Sequence, residues 1–384
     1  MKRPVVLKAL GGATALVLAA GCSSEDASPG SASPGSARER PGAAPPSSAS
    51  APASPSATAP ATAGVTVAGT LTEGLKSPWG LAELPGGDLL VSSRDERTIT
   101  RIDGRTGTRT PLGEVPGVVP GGEGGLLGLA FRDGRVYAYL TAASDNRIVR
   151  MAYGGGAGDR LGPPEPVLTG IPKGFTHNGG RIAFGPDGML YAGTGETGRT
   201  GLAQDRGSLG GKVLRMTPEG RPAPGNPFPD SVVYSYGHRN VQGLAWDADG
   251  RLWAAEFGQN TWDELNLIAA GRNYGWPEAE GRSGRKGFTD PVAQWPTSEA
   301  SPSGIAYAKG AIWMAGLRGE RLWRVPLSGA ERSGEPEAFL RGDHGRLRTV
   351  LATGGDRLWL VTSETDTRGT PGPGDDRILR LRVG

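Results

Sequence analysis

The chain has 384 residues, of which 65 are Gly and 32 are Pro, together about a quarter of all positions. Because these two residues are the least compatible with a helix interior, the composition excludes an all-helical protein and predicts short strands joined by many turns. The formal net charge is only +3, and Lys2, Arg3 and Lys8 account for all of it. We therefore expect no nucleic acid partner.

Residues 1–22 have the pattern of a bacterial export signal. Basic residues precede an apolar run at positions 9–20, which is too short to span a bilayer. The sequence Leu-Ala-Ala-Gly-Cys at 18–22 resembles a lipobox, and Cys22 is the only Cys of the chain. This pattern predicts an exported protein, anchored to the outer face of the cell membrane only through a lipid on Cys22. Ordinary secretion with a chance Cys is the alternative.

Residues 23–64 form a segment of low complexity. They contain 12 Ala, 11 Ser and 8 Pro, with no Val, Ile, Leu, Met or aromatic residue. Such a segment cannot bury enough apolar surface to offset the entropy of ordering. The sequence therefore predicts a disordered linker that holds a globular domain, residues 65–384, away from a membrane surface.

From residue 65 onward one sequence unit occurs six times. It consists of a small residue, an aliphatic residue and an Ala, followed by a turn and a second apolar run. The Ala of each copy is at one of these positions: Ala82, Ala130, Ala183, Ala245, Ala306 and Ala352. The copies are 46 to 62 residues apart, which is typical of propeller blades.

Most copies continue into a third strand, in which basic and apolar residues alternate, as in Arg147 to Met151. Period-two alternation indicates strands with one buried face. Four strands in each of six units predict an all-β fold, a six-bladed β-propeller. The segment Val65 to Leu71 precedes the first copy and is expected to close the ring by joining the last blade. A β-sandwich or a solenoid is the alternative.

Histidine and arginine residues occur at one common phase of the repeat. The three His of the chain, His177, His238 and His344, each lie just upstream of the first strand of a unit. Arg239, Arg346 and Arg348 are close to these His residues, and Arg318 is in another loop. Guanidinium groups that converge at a channel mouth imply a ligand with several carboxylate or phosphate groups. Solvated turn residues are the alternative.

The stretch Glu256 to Asn266 concentrates carboxylates and amides around a Gly turn, and a second polar segment follows at 273–277. Oxygen ligands of this kind suit a hard cation such as Ca²⁺. A zinc site is poorly supported, because the three His are dispersed and the only Cys is near the N-terminus.

These segments resemble one protein family. The sequences 236–245, 256–266 and 271–277, together with 121–128 and 177–180, are similar to those of the pyrroloquinoline quinone (PQQ) dependent aldose sugar dehydrogenases, whose relatives are the soluble quinoprotein glucose dehydrogenases. The resemblance implies a six-bladed propeller that oxidises an aldose at its anomeric carbon to a lactone. Hydride passes to PQQ, and the electrons leave to an external acceptor.

The resemblance also implies roles for individual residues. His177 matches the general base, and Arg239 is placed to stabilise the developing oxyanion. The residues that match the cofactor site are Glu123, Asn240, Arg318, Arg346 and Arg348. The backbone carbonyls of Gly258 and Gln259 match the ligands of a catalytic Ca²⁺, Glu264 and the carbonyl of Tyr274 match those of a second Ca²⁺, and Trp295 matches an aromatic wall near the sugar.

Three positions depart from the family pattern. Glu123 stands where a Gln is typical, and an added carboxylate is unfavourable beside an anionic cofactor unless an Arg pairs with it. Thr176 replaces an Asp of the glucose enzymes, so we expect broad and weak sugar selectivity. Arg318 replaces a Lys. Two other functions stay open: a non-catalytic cell-surface propeller that binds a carbohydrate or a protein, and a calcium-dependent lactonase.

Overall fold

The computed structural model describes residues 64–154 and 160–384. The predicted signal segment 1–22 with Cys22, and the predicted linker apart from Gly64, lie outside the described residues. The described part contains 26 β-strands and one short 3-10 helix, Thr200–Ala203. No helix among the described residues has the length and apolarity needed to cross a membrane.

The strands form six antiparallel sheets, one for each sequence unit. Strand β1 (Val65–Thr72) precedes the first sheet along the chain. Blade one consists of β2 (Pro78–Glu83), β3 (Leu89–Ser93), β4 (Thr98–Ile102) and β5 (Arg109–Glu114). Blade two consists of β6 (Leu126–Arg132), β7 (Arg135–Thr141), β8 (Asn146–Gly154), the short β9 (Arg160–Leu161) and β10 (Glu165–Ile171). Blade three consists of β11 (Ile182–Phe184), β12 (Leu190–Gly193), β13 (Lys212–Met216) and β14 (Val233–Tyr236).

The remaining three blades follow the same plan. Blade four consists of β15 (Val241–Trp246), β16 (Leu252–Glu256), β17 (Trp262–Ile268) and β18 (Ala293–Pro296). Blade five consists of β19 (Pro302–Ala308), β20 (Ala311–Gly316), β21 (Arg321–Ser328), the short β22 (Glu331–Arg332) and β23 (Glu337–Phe339). Blade six consists of β24 (Leu347–Ala352), β25 (Arg357–Thr362) and β26 (Ile378–Val383). The first strand of each blade contacts the first strands of the blades on either side, and β24 contacts β2. The ring is therefore closed, and the predicted six-bladed propeller is confirmed.

The small residue of the repeat allows the innermost strands to approach one another closely. A Cβ atom on Gly80 would lie 2.5 Å from the carbonyl oxygen of Leu127 on the next blade. A Cβ atom on Gly128 would lie 2.3 Å from the carbonyl oxygen of Gly180, which precedes the blade after that. Both distances are too short for a side chain, so the spacing of the inner strands requires Gly at these two positions.

Strand β1 closes the ring as predicted. It pairs antiparallel with β26, with Val65 opposite Val383 and Thr72 opposite Ile378. Blade six therefore takes its fourth strand from the start of the described domain, so the first and last strands of the domain hold each other in place. The apolar faces of the blades pack between neighbouring sheets, where Trp253 and Trp313 are fully buried.

Candidate active site

A cavity of about 400 Å³ lies at one end of the ring. Its walls come from the loops that precede the first strand of a blade and from those that follow the second strand. These loops meet at one end because the two strands are antiparallel. Nine residues for which the resemblance implies a role line this cavity: Glu123, His177, Arg239, Asn240, Gly258, Gln259, Arg318, Arg346 and Arg348. The structure thus brings most of the candidate site together.

The imidazole of His177 is held between an acid and a guanidinium. Its Nδ1 contacts Oε1 of Glu196, a side chain that is only 1% exposed. Its Nε2 lies 2.9 Å from a terminal nitrogen of Arg239. A guanidinium can only donate, so these partners assign the neutral tautomer with hydrogen on Nδ1 and a lone pair on Nε2. The lone pair on Nε2 points to Arg239, within the cavity that both residues line.

The backbone around His177 is fixed as firmly as its ring. The residue has a φ of 52°, in the left-handed region that a non-Gly residue seldom occupies. Its N–H donates to Oε2 of Glu123 at 2.8 Å, and Thr197 donates to its carbonyl at 3.2 Å. Non-Gly residues keep such a conformation only where surrounding contacts hold the backbone in place, and they are found most often at functional sites.

Glu196 was not identified from the sequence, although the repeat contains the signal. It follows β12 by three residues, and Glu256 ends the equivalent strand of blade four, where it lies 3.2 Å from Nδ1 of His238. In both blades the acid comes 18 or 19 residues after the His. Comparison of the two blades would have predicted the pair. Burial lowers the pKa of His238 to about 3, so its ring is neutral and lies inside the blade.

Arg239 is positioned by the loop after β16. Its Nε and one terminal nitrogen donate to Oε1 of Gln259 at 2.9 and 2.6 Å. The other terminal nitrogen donates to the carbonyl of Phe257 at 3.2 Å. Burial lowers the pKa of Arg239 below its usual value. Nearby carboxylates raise this pKa, but they offset only part of the effect of burial. The guanidinium is thus held beside Nε2 of His177 in one orientation.

The opposite wall is rich in guanidinium groups. Arg348 is buried and donates to Asp366 at 2.7 Å, while Arg346 donates to the same oxygen at 3.2 Å. Burial lowers the pKa of Arg348 to about 10 despite its contact with Asp366. Arg348 also donates to Gln242 at 3.1 Å, a cavity residue for which the sequence predicted no role.

The cavity carries an excess of positive charge. Six Arg residues line it against three carboxylates, a formal excess of three. The buried Nε of Arg346 has no partner among the described residues. No described residue accepts a hydrogen bond from the exposed side chain of Arg318. These unpaired donors fit the prediction of a ligand with several anionic groups.

The unusual Glu123 has the partner that its position requires. Its Oε1 accepts a hydrogen bond from Arg368 at 2.8 Å, and its other oxygen accepts the N–H of His177. Arg368 was not identified from the sequence, because it lies in the loop after β25 and meets Glu123 only through the fold. The added carboxylate is therefore neutralised within the cavity wall.

The structure contradicts the expectation for Trp295. This side chain is 3% exposed and does not line the cavity. It packs against Trp323 of blade five, with ring centroids 5.6 Å apart. In β18, Ala293 and Trp295 are buried while the residues between and after them are more exposed, so the alternation directs this ring into the space between two blades. Phe175, 79% exposed, is the cavity aromatic with the most accessible surface.

Glu264 and Tyr274 belong to a separate buried cluster inside blade four. Glu256 and Glu264 are paired across β16 and β17, and both accept hydrogen bonds of 3.0 Å from Nδ2 of Asn266. Burial raises the pKa of both carboxyls, and repulsion between them raises that of Glu264 further. The Oδ1 of Asn266 is buried without a partner among the described residues. The ring of Tyr274 stacks on His238 at 4.6 Å.

Known proteins share this fold and much of this sequence. The family described as glucose/sorbosone dehydrogenase matches residues 75–371. Quinoprotein glucose dehydrogenase B of Acinetobacter calcoaceticus is 31% identical over 252 residues, which cover 56% of this chain and 53% of that enzyme, so the chain matches about half the length of this relative. An aldose sugar dehydrogenase of Escherichia coli (strain K12) is 31% identical over 264 residues, 64% of this chain and 71% of that protein. The solved structure of the PQQ-bound form of aldose sugar dehydrogenase from Streptomyces coelicolor is 69% identical, with a TM-score of 0.83, over 85% of this chain and 99% of that one.

Proposed function

The chain belongs to the glucose/sorbosone dehydrogenase family, and from this membership we propose that it is a PQQ- and calcium-dependent aldose sugar dehydrogenase. The reaction is oxidation of an aldose at its anomeric carbon to a lactone, with the electrons passed on to an external acceptor. The observation that carries the proposal is the His177 ring. Its basic Nε2 lies in the same cavity as the excess of guanidinium groups.

The cavity fits PQQ, which bears three carboxylates, because Arg residues outnumber the carboxylates that line it and some of its guanidinium donors are unpaired. Arg346, Arg348 and Arg318 would hold the carboxylates, and Asn240 would lie beside the reactive part of the cofactor. When bound, PQQ supplies the hydride acceptor. The pairing of Glu123 with Arg368 removes the main objection to an active site and favours the enzyme over a non-catalytic binding propeller.

Side chains of the protein accept the proton that the sugar loses. His177 Nε2 accepts the proton of the anomeric hydroxyl as the carbon is oxidised, and Glu196 stabilises the imidazolium that forms. The guanidinium of Arg239 lies beside Nε2 and would stabilise negative charge that develops on the sugar oxygen. Gln259, Phe257 and His177 take four of its five N–H groups, so the sugar hydroxyl must replace Arg239 at Nε2 before the proton is transferred.

The donor set also fits calcium. No described residue donates a hydrogen bond to the carbonyl of Gly258 or Gln259, and carbonyl oxygens are ligands that Ca²⁺ prefers. Within the described residues no group of three or more His, Cys, Asp or Glu side chains forms a metal site, so backbone carbonyls would supply much of the coordination. Ca²⁺ at this position would act as a Lewis acid. Glu264, the carbonyl of Tyr274 and the unpaired Oδ1 of Asn266 fit a second Ca²⁺.

The proposal is tested by titrating the purified full chain with PQQ in excess Ca²⁺ and then adding an aldose. We expect stoichiometric binding followed by a sugar-dependent change from the absorbance of oxidised to that of reduced quinone. Omission of the sugar is the control. A chain that binds no PQQ would make the non-catalytic propeller the better explanation of the cavity.

We further propose that the protein is exported and anchored through a lipid on Cys22, which the basic, apolar and lipobox pattern of residues 1–22 supports. We expect Cys22→Ala to move the protein from the detergent phase to the aqueous phase in a bacterial host that lipidates such signals. Mass spectrometry of the mature N-terminal peptide checks the result. An unmodified Cys22 in the unaltered protein would favour ordinary secretion.

A further inference from the structure

The loop between β16 and β17 is organised around one carboxylate oxygen. Oε1 of Glu280 accepts four successive backbone N–H groups, those of residues 259 to 262, at 2.6, 3.0, 3.0 and 3.2 Å. The preceding N–H, that of Gly258, donates to Asp263 at 2.9 Å. Five consecutive N–H groups are therefore fixed by two side chains. The four N–H donors outweigh the effect of burial and lower the pKa of Glu280.

This arrangement determines where the carbonyl groups of the loop point. In a trans peptide the N–H and the C=O of one plane are antiparallel. The N–H of Gln259 shares its plane with the carbonyl of Gly258, and the N–H of Asn260 shares its plane with the carbonyl of Gln259. Both N–H groups point to Glu280, so both carbonyl oxygens point away from it. Gly258 and Gln259 line the cavity, whereas Glu280 does not.

The loop leaves no room for a side chain at Gly258. A Cβ atom on Gly258 would lie 1.9 Å from the carbonyl oxygen of Trp262 and 2.7 Å from Oε1 of Glu280. The chain thus turns tightly around the carboxylate. The same carboxylate also fixes Gln259, whose side chain holds Arg239. Its negative charge next to the N–H groups polarises these peptides and increases the negative charge on their carbonyl oxygens.

We propose that Glu280 is the positioning residue of the catalytic calcium site, which it builds by turning the carbonyls of Gly258 and Gln259 into the cavity. The inference rests on the proposed function, since it concerns the calcium ion invoked there. Glu280 contacts neither cofactor nor sugar in this role. Groups that orient metal ligands typically change metal affinity by about tenfold to a hundredfold when they are removed.

The test is calorimetric titration of the metal-free full chain with CaCl₂, with and without saturating PQQ. The difference between the two titrations isolates the ion in the cavity from any second ion near Glu264. We expect Glu280→Ala to weaken the PQQ-dependent Ca²⁺ affinity about tenfold to a hundredfold. Glu280→Gln keeps an acceptor oxygen without the charge, and we expect an intermediate loss. Glu278→Ala, an exposed neighbour with the same change of charge, should leave the affinity within about twofold.

The unfolding midpoint of the metal-free protein separates positioning from a merely structural role. A structural role would lower this midpoint and leave the Ca²⁺ affinity of the folded fraction unchanged. If Glu280→Ala does not fold, Glu280→Gln gives the same comparison. The inference about Glu280 would be wrong if a folded Glu280 variant bound Ca²⁺ in the presence of PQQ with an affinity within about twofold of that of the unaltered chain. The proposed calcium site itself would then still stand. An unaltered chain that shows no PQQ-dependent Ca²⁺ binding would overturn both the calcium site and the inference.

Discussion

Replacement of His177 by Ala is expected to lower kcat by about a thousandfold, within the usual range for loss of a general base, while the Kd for PQQ changes by less than about threefold. The reason is that the proposed base and the residues proposed to bind PQQ lie on different walls of the cavity. Nε2 of His177 faces Arg239, whereas the guanidinium groups proposed to hold the cofactor are on the opposite wall. Steady-state kinetics with an aldose and direct PQQ titration measure the two quantities.

Two further variants control this experiment. The Ala variant leaves the buried Glu196 without its partner, so His177→Ala combined with Glu196→Gln keeps the test valid if the single variant is unstable. His344→Ala removes an imidazole that is outside this hydrogen-bond network, and kcat should stay within about twofold. Equal losses of turnover and PQQ binding in the His177 variant would contradict its role as the base.

Arg348→Met is expected to weaken PQQ binding by about tenfold to a hundredfold and to lower the free energy of unfolding by about 3 kcal/mol. Three of the five N–H groups of Arg348 bond to Ser363, Gln242 and Asp366, so two remain for a ligand. Removal of the guanidinium also leaves the buried Asp366 with Arg346 as its main cationic partner. PQQ titration and denaturant unfolding measure the two effects.

Arg348→Met also changes how the free energy of unfolding depends on pH below about pH 4. Burial raises the pKa of Asp366, but Arg348 and Arg346 outweigh this effect and lower it to about 2, from the ordinary 3.8. The carboxylate therefore stabilises the unaltered protein fully above about pH 4, and this contribution is lost as the pH falls towards 2. Without Arg348 the pKa of Asp366 rises towards its ordinary value, so the loss of stability on acidification should become smaller and be complete at a higher pH.

Arg382→Met is the matched control for Arg348→Met. Arg382 pairs with Asp356 on the surface, where its side chain is 59% exposed. Exposed pairs contribute little to stability, so we expect no measurable change in the free energy of unfolding and no change in PQQ affinity. PQQ affinity equal to that of the unaltered chain in the Arg348 variant would remove this residue from the cofactor site.

The repeat made the fold predictable, because each unit carries its own turn signals and alternation. The inner Gly and Ala positions, the strand pairs and the closing role of β1 all follow from local sequence. The common phase of the His and Arg residues likewise predicted which loops meet at one end. Local sequence sufficed here because a propeller places equivalent positions at equivalent places around one axis.

The partners of these residues were harder to predict, since they depend on which loops face each other across the ring. Arg368 meets Glu123 from a position 245 residues away in the chain. The resemblance predicted that Trp295 lies near the sugar. An alternation of period two, however, does not determine which side of an edge strand faces the neighbouring blade. In the structure that side is the hydrophobic core. Glu196 is the exception, because the spacing from His to acid that it shares with blade four is present in the sequence.

The pairing of β1 with β26 has a mechanical consequence. Val65 lies opposite Val383, and the N–H of Gly384 donates to the carbonyl of Gly64 at 3.0 Å, so both ends of the described domain emerge at the same end of one strand pair. A force applied between residues 64 and 384 therefore pulls the two strands apart from that end. The hydrogen bonds then carry the load one after another, as in a zipper, instead of sharing it in shear. Stretched in this direction, the ring should open first at blade six and at low force, however stable it is against heat or denaturant.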